Sequence, residues 1–352
     1  MICFAWREFP QYAARCVAAL VKVSSERVVV VATRPRVPIT GMEELAGCPV
    51  VWVEEDDSRS LATLVGELPR VLIVSGWGTG LFNRYRDEVH AGGGHVIAMS
   101  DNNFIFGLRQ VVKAIRFRLL FRKQYEGYLV AGRSCASLLR FYGVSNELIR
   151  LGMYSADATI FNDGGVDICS RTKKMLFVGQ FIERKNPIRL CEAFALAKGY
   201  EKGWTLDLYG SGPLRDQIPT GRGVSVHDFL QPEQLAGCYR EARIFVLPSL
   251  EEHWGLVVHE AALSGCALLL SDCIGAAADF LNDENGAVFD PLDVRSMAKA
   301  MEQLMALNDT DLRRAQRESI RLGRKIGTEL FAQSISEFAA PDWGAKGRER
   351  MT

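Results

Sequence analysis

Pro248-Ser249-Leu250-Glu251-Glu252-His253-Trp254-Gly255-Leu256-Val257-Val258-His259-Glu260-Ala261-Ala262-Leu263-Ser264-Gly265 follows directly on the apolar run Ile244–Leu247. A short apolar strand, a glycine that opens an apolar helix and a glycine that ends it make one βα unit. Working outward, the same alternation of short β-branched runs with stretches of helical period recurs along the chain, and it recurs as two sets. In the first half the strands are expected near Met1–Ala5, Val28–Thr33, Val50–Val53, Val71–Val74, His95–Met99, Tyr128–Val130 and Ile149–Leu151. In the second they are expected near Lys174–Val178, Thr205–Tyr209, Val224–His227, Ile244–Leu247, Ala267–Ser271 and Gly286–Phe289. Several are continuously apolar, as strands covered on both faces should be.

A chain of 352 residues exceeds what one hydrophobic core usually supports, so two domains are expected. The turn-forming run Asn162-Asp163-Gly164-Gly165-Val166-Asp167 supplies the linker, giving domains at 1–165 and 166–325. Helices are expected at Val294–Met305, Asp311–Gly323 and Ile326–Phe338. The last, in a segment of about 326–345, is expected to pack back on the first domain. The end, Lys346 to Arg350, reads as frayed.

Composition narrows the function classes. Hydrophobic residues make up 48% and charged residues 24%, values of a folded globular protein, and 42 cations balance 42 acids, so no polyanionic partner such as nucleic acid is advertised. The nine cysteines are scattered without C-x-x-C pairs, which points to reduced thiols and a cytoplasmic setting rather than disulfides or zinc. No apolar run reaches the ~20 residues of a membrane-spanning helix, and the charged start does not read as a secretory signal. Asp309-Thr310-Asp311 is formally a D-x-D, but its place before a helix reads as an N-cap cluster, and no metal is assigned.

In open parallel sheets ligands sit beyond the carboxyl ends of the strands. Three such places in the second half carry chemistry. In the opening stretch Glu252, just before the helix, can accept hydrogen bonds from sugar hydroxyls. The amides near Gly255, Leu256 and Val257 can face a diphosphate, and Glu260, one turn inside, can grip a ribose. The plainer reading makes Glu252 a cap and Glu260 a solvent-facing residue, but a carboxylate within the apolar run Leu256–Leu263 fits it poorly. After Lys174–Val178 comes Gly179-Gln180-Phe181-Ile182-Glu183-Arg184-Lys185-Asn186-Pro187, a Gly turn, adjacent cations and a helix beginning at Pro187; such a charged pair alone is usually a solvated feature. After Thr205–Tyr209 comes Gly210-Ser211-Gly212-Pro213-Leu214, where Gly210 and Gly212 let backbone approach a ligand or simply make a turn, and Pro213 is expected to begin the next helix.

Taken together, Pro248 to Gly265 resembles the E-x7-E segment of retaining glycosyltransferases of family 4. Gly179-Gln180 through Lys185-Asn186 is similar to that family's G-R…R-K-G loop, Gly210 to Leu214 to its G-x-G-P-L turn, and Ser271-Asp272 with Asn285-Gly286 to its later segments, over about Lys174 to Leu304. The resemblance implies an α/β fold of the GT-B type, two Rossmann-like parallel-sheet domains facing each other across a cleft, with the nucleotide sugar bound in the second. It implies catalytic roles for Lys185, Glu252 and Asp101. Gly179, Gln180, Arg184, Lys185, Gly210, Gly212, Glu252, Gly255, Leu256, Val257 and Glu260 would contact the donor. The donor would be a UDP- or GDP-linked sugar with no tightly bound cofactor, and the acceptor a lipid-linked glycan of O-antigen, capsule or exopolysaccharide synthesis. Gln180 stands where the family has arginine, and Asn186 where it has glycine. A nucleotide-sugar epimerase on the same fold, or a degenerate binding subunit, are the alternatives.

In the first half, Tyr12 in the loop after the first strand, and Gly76 and Trp77 in Ser75-Gly76-Trp77-Gly78-Thr79-Gly80, are expected on the acceptor side. Asp101 follows His95–Met99, where that family often has a residue bordering the reacting sugar. From Phe104 to Tyr125 there are six cations (Arg109, Lys113, Arg116, Arg118, Arg122, Lys123) and no acid. Leu108, Val111, Val112, Ile115 and Leu119 are expected to face the core as a helical stripe, with Arg109, Lys113 and Arg116 on another face. That helix suits peripheral contact with an anionic membrane on its inner face, and equally a solvated helix without a partner.

Overall fold

The computed structural model describes residues 1–35, 41–77, 80–105 and 107–344. Gly78, Thr79 and the terminal run Lys346 to Arg350, named above, lie outside the described residues, as does Phe106.

The chain forms two compact units, Met1–Ser155 with the chain from Ile326 onward, and Ala156–Lys325. In the first, strands β1 (Ile2–Trp6), β2 (Val28–Ala32), β3 (Val50–Trp52), β4 (Val71–Ser75), β5 (His95–Ser100), β6 (Gly127–Val130) and β7 (Ile149–Leu151) alternate with helices α1 (Gln11–Val23), α2 (Met42–Ala46), α3 (Leu61–Val65), α4 (Gly80–Ala91), α5 (Leu108–Leu120) and α6 (Arg133–Phe141). In the second, strands β8 (Lys174–Val178), β9 (Thr205–Tyr209), β10 (Val224–His227), β11 (Ile244–Leu247), β12 (Ala267–Ser271) and β13 (Gly286–Phe289) alternate with α7 (Pro187–Leu196), α8 (Pro232–Glu241), α9 (Leu256–Leu263), α10 (Ala277–Phe280), α11 (Val294–Met305) and α12 (Asp309–Gly323). Helix α13 (Thr328–Phe338) belongs to the first unit.

Each unit holds one all-parallel sheet, in the orders β3-β2-β1-β4-β5-β6-β7 and β10-β9-β8-β11-β12-β13. The central strands are buried along their length, whereas the edge strands β3 and β10 are only partly covered. Continuous apolar runs are what two-sided coverage by helices selects. Strand order reverses between β1 and β4, and between β8 and β11, and the carboxyl ends at such switch points are where open α/β sheets bind ligands.

Three expectations are corrected. The boundary falls at Ser155/Ala156 rather than within Asn162–Asp167, because the intervening segment is held by the second unit. The Phe161 ring packs 5.7 Å from that of Tyr239, and the Ala156 amide donates to His259 Nδ1 at 3.0 Å. Pro213 opens no α-helix: only a 3-10 turn, Arg215–Gln217, lies between β9 and β10. There the backbone is instead tied sideways, the Leu214 amide donating to the Phe181 carbonyl at 3.0 Å. Lastly, the aliphatic stripe of α5 faces outward. Ala114 and Phe117 are its buried residues, while Leu108, Val111, Val112, Ile115 and Leu119 are exposed. Packing through one large aromatic decides the rotation: Phe117 lies 5.1 Å from Trp77 and 5.2 Å from Tyr142, and the Arg118 guanidinium donates to the carbonyls of Phe141 and Tyr142.

Helix α13 is part of the first unit's core. Phe331 stacks on Phe4 at 5.7 Å, and His95 Nε2 contacts the Phe338 carbonyl at 2.8 Å. Gly127 admits the Phe338 ring, since a Cβ there would lie 2.7 Å from it. Phe331 is fully buried. Phe331→Ala should therefore cost about 3–5 kcal/mol, read as a lower urea midpoint for the transition that monitors the first unit.

Candidate functional site

In the second unit the residues singled out after β8, β9 and β11 converge. The β8 and β9 loops touch backbone to backbone: a Cβ on Gly210 would sit 1.9 Å from the Gly179 carbonyl oxygen, and one on Gly212 would sit 2.5 Å from that of Phe181. Only glycine fits such an approach. The β8 and β11 loops are joined by the Leu250 amide, which donates to the Arg184 carbonyl at 2.8 Å.

Asn186 has φ 59° and ψ 38°, a left-handed position, and its side-chain amide donates to the carbonyls of Pro248 (3.2 Å) and Pro291 (2.9 Å). A glycine would accept the backbone but make neither bond. Asn186 therefore ties the β8 loop to the loops after β11 and β13.

Across this frame the buried Lys185 amine donates to a carboxylate oxygen of the buried Glu252. Ser249 Oγ donates to the same oxygen at 3.3 Å, and Arg184 Nη1 lies 3.8 Å from it while donating to the Glu251 carbonyl at 2.7 Å. Charges taken out of water are tolerated when paired and further hydrogen-bonded, as here. Gly179 lies beside the Lys185 stem and Gly255 beside the Glu252 stem, so both side chains reach each other over open backbone. Gln180 is exposed in the same turn.

Helix α9 begins after Gly255, whose φ of 95° and ψ of 77° turn the chain into it. Its first amide bonded to a carbonyl behind it is Val258, to Gly255 at 2.9 Å, so Leu256 and Val257 carry the helix's leading amides. Glu260 is buried one turn further on, and the Tyr239 hydroxyl donates to its Oε2 at 2.8 Å. Burial raises the Glu260 carboxyl from 4.5 to about 7, against the lowering effect of that hydrogen bond. The solvent-facing alternative for Glu260 is thus excluded. Asp309 and Asp311 lie in the first turn of α12, where the Asn308 side chain accepts from the Asp311 amide. No group of three metal-ligating side chains occurs among the described residues.

The first unit holds a cavity of about 340 Å³ beyond β1, β4 and β5. Arg7, Glu8, Tyr12, Gly76, Asp101 and Tyr154 line it. The Tyr154 hydroxyl donates to Asp101 Oδ2 at 3.0 Å, and the rings of Tyr12 and Tyr154 lie 5.0 Å apart. Burial, with the Asp101 charge adding to it, pushes the Tyr12 hydroxyl above its usual range. Trp77 does not join this wall; its ring packs edge-on against Phe117 and Tyr128. The residues singled out from sequence thus form two groups, one in each unit. Tyr239, Ser249 and Tyr154 were missed, because each reaches its carboxylate from another element or loop position that no local motif marks.

Two parallel Rossmann-like sheets, each with its distinctive loops at the carboxyl ends, define a protein of the GT-B class. Residues 172–307, within the second unit, match the family model Glycosyl transferases group 1. Solved structures agree on the fold. Sucrose-phosphate synthase from Thermosynechococcus elongatus superposes with a TM-score of 0.72 at 15% identity, over 98% of this chain and 100% of that one. Anabaena HepE in complex with UDP and glucose gives 0.72 at 13%, over 97% and 100%. Among curated relatives, an exopolysaccharide phosphotransferase of Streptomyces coelicolor is 28% identical over 51% of this chain and 20% of its own length. D-inositol 3-phosphate glycosyltransferase of Corynebacterium diphtheriae is 25% identical over 48% and 45%. The matched region thus spans a fifth to about half of these curated relatives.

Two outcomes follow from this geometry. Asn186→Gly should keep the left-handed turn yet lose about 1–2 kcal/mol, read as a lower urea midpoint for the second unit. For Glu260, the folded state holds its proton to higher pH than the unfolded state. The unfolded chain therefore binds fewer protons from about 4.5 to about 7, and stability must fall as pH rises through that window. The urea midpoint of the wild type should drop relative to that of Glu260→Gln between pH 5 and 8, and a constant difference would contradict the shift.

Proposed function

We propose that the protein is a retaining glycosyltransferase that moves a sugar from a nucleotide-diphosphate sugar to a lipid-linked glycan acceptor in cell-surface polysaccharide synthesis (O-antigen, capsule or exopolysaccharide), at the cytoplasmic face of the membrane. The observation that carries the reading is the meeting of the Lys185 amine and the Glu252 carboxylate in front of the glycine that opens α9. On donor binding Lys185, with Arg184 beside it, would turn to the diphosphate and stabilise the charge that develops on the leaving group. The leading amides of α9 add their positive end to the same anion. Glu252, released from Lys185, would take hydroxyls of the transferred sugar, and Glu260, held by Tyr239, the ribose. In the first unit, the cavity bordered by Tyr12, Gly76 and Asp101 would receive the acceptor.

Relatives named as a glycosyltransferase and a glycogen synthase, and a structural neighbour solved with UDP, support sugar transfer and make UDP-sugars the first donors to assay. One observation favours a second reading: Gln180 places a neutral amide where the resemblance has a cation, which suits a subunit that binds a nucleotide sugar without turnover. Titration with UDP and GDP followed by a donor-hydrolysis assay separates the two, since binding without hydrolysis or transfer would favour the subunit. Donor consumption without any acceptor, yielding a new nucleotide sugar, would favour an epimerase.

Lys185→Ala and Glu252→Ala should each lower transfer by roughly a hundredfold or more, measured beside the thermal midpoint because each leaves a buried charge with one partner fewer. Wild-type rates in either variant would overturn the mechanism.

A further inference from the structure

Helix α5 is used by the fold on one side only. At 100° per residue, Leu108, Val112, Ile115 and Leu119 fall within roughly 60° of one another and about opposite Phe117, the ring that anchors the helix. Leu108 is 87% and Leu119 78% exposed, and Val112, Ile115, Leu120 and the preceding Ile105 are exposed as well. Arg109, Lys113 and Arg116 are exposed along one flank of this stripe, and Lys123 lies just past the helix. No acid occurs from Phe104 to Tyr125, and the next one, Glu126, is buried with its carboxylate on the Val96 amide. Nothing acidic on this stretch offsets the cations.

We propose that α5 is a membrane-docking helix: its aliphatic stripe enters the headgroup and acyl boundary of a bilayer while Arg109, Lys113 and Arg116 bind anionic headgroup phosphates. Charge complementarity selects the occupant. A helix meeting another protein core needs no unbroken cationic flank, whereas an interfacial helix combines apolar burial with attraction to anionic lipid. The placement also serves the acceptor cavity, for residues 102–107 alone separate α5 from Asp101 on its wall. The bilayer surface would then lie beside the cavity proposed for a lipid-linked acceptor. That last step rests on the proposed function; docking itself does not.

The test is co-sedimentation of the full chain with vesicles of phosphatidylcholine alone and with about a third phosphatidylglycerol. Binding should appear with the anionic vesicles, be weak with the neutral ones, and fall as salt rises from about 0.1 to about 0.5 M. The triple change Val112→Ser, Ile115→Ser, Leu119→Ser should abolish it. Arg109→Gln, Lys113→Gln, Arg116→Gln should weaken it by about tenfold or more. Both sets replace exposed side chains, so thermal midpoints should hold. Equal binding to both vesicle types, no binding to either, or loss of neither variant's binding would overturn the proposal. So would a dimer in sedimentation velocity that the serine variant dissociates, which would assign the stripe to a second copy of the chain. Donor hydrolysis measured in parallel needs no membrane, so failure of docking and failure of the transferase reading register separately.

Discussion

The site in the second unit depends on one buried ion pair, Lys185 with Glu252. Taking two such ions out of water costs several kcal/mol each, and attraction repays it only when geometry and further hydrogen bonds are supplied. Ser249 supplies a hydrogen bond to the carboxylate and Arg184 a second cation 3.8 Å from it, and Asn186 and the Leu250 amide fix the loops that carry the two charges. The pair is therefore a property of three loops held in register rather than of two residues. The Glu252 stem passes beside Gly255, where a Cβ would lie 3.1 Å from it.

Parallel-sheet topology is what brings those loops together. Strands β8 and β11 are neighbours although Lys185 and Glu252 are 67 positions apart in sequence. Strand order reverses between them, so the chain leaves β8 and β11 in opposite directions and exposes their carboxyl ends. The first unit repeats the device between β1 and β4, and there a cavity opens, lined by the loops after β1, β4 and β5. In each unit a carboxylate is held by a tyrosine hydroxyl, Glu260 of α9 by Tyr239 and Asp101 after β5 by Tyr154. Each hydroxyl fixes one oxygen of its carboxylate.

Much of the frame was legible locally. Unbroken apolar runs such as Ile244–Leu247 and Ala267–Ser271 can be little else than covered strands, and Pro187 and Gly255 mark helix starts by removing or redirecting backbone donors. The partners of the site were not legible in this way, since Tyr239 and Ser249 reach their carboxylates through tertiary folding. Asn186 stands in the sequence only as a departure from glycine, and the packed loops reveal its two bonds. Pro213 misled because a proline after a turn looks the same whether a helix or a 3-10 turn follows.

Helix α5 marks the division most clearly. Its sequence established that one face is aliphatic and that cations, without acids, flank it. Which face would be buried was left to the tertiary structure, because the Phe117 ring fills a pocket among Trp77, Tyr128 and Tyr142 that the stripe cannot fill. Sequence by itself determined the alternation of strands and helices and the residue types at the strand ends, since these follow from local backbone preference and periodic burial. Which of those residues meet, and which faces stay in solvent, was decided by packing, because that depends on shapes contributed from distant parts of the chain.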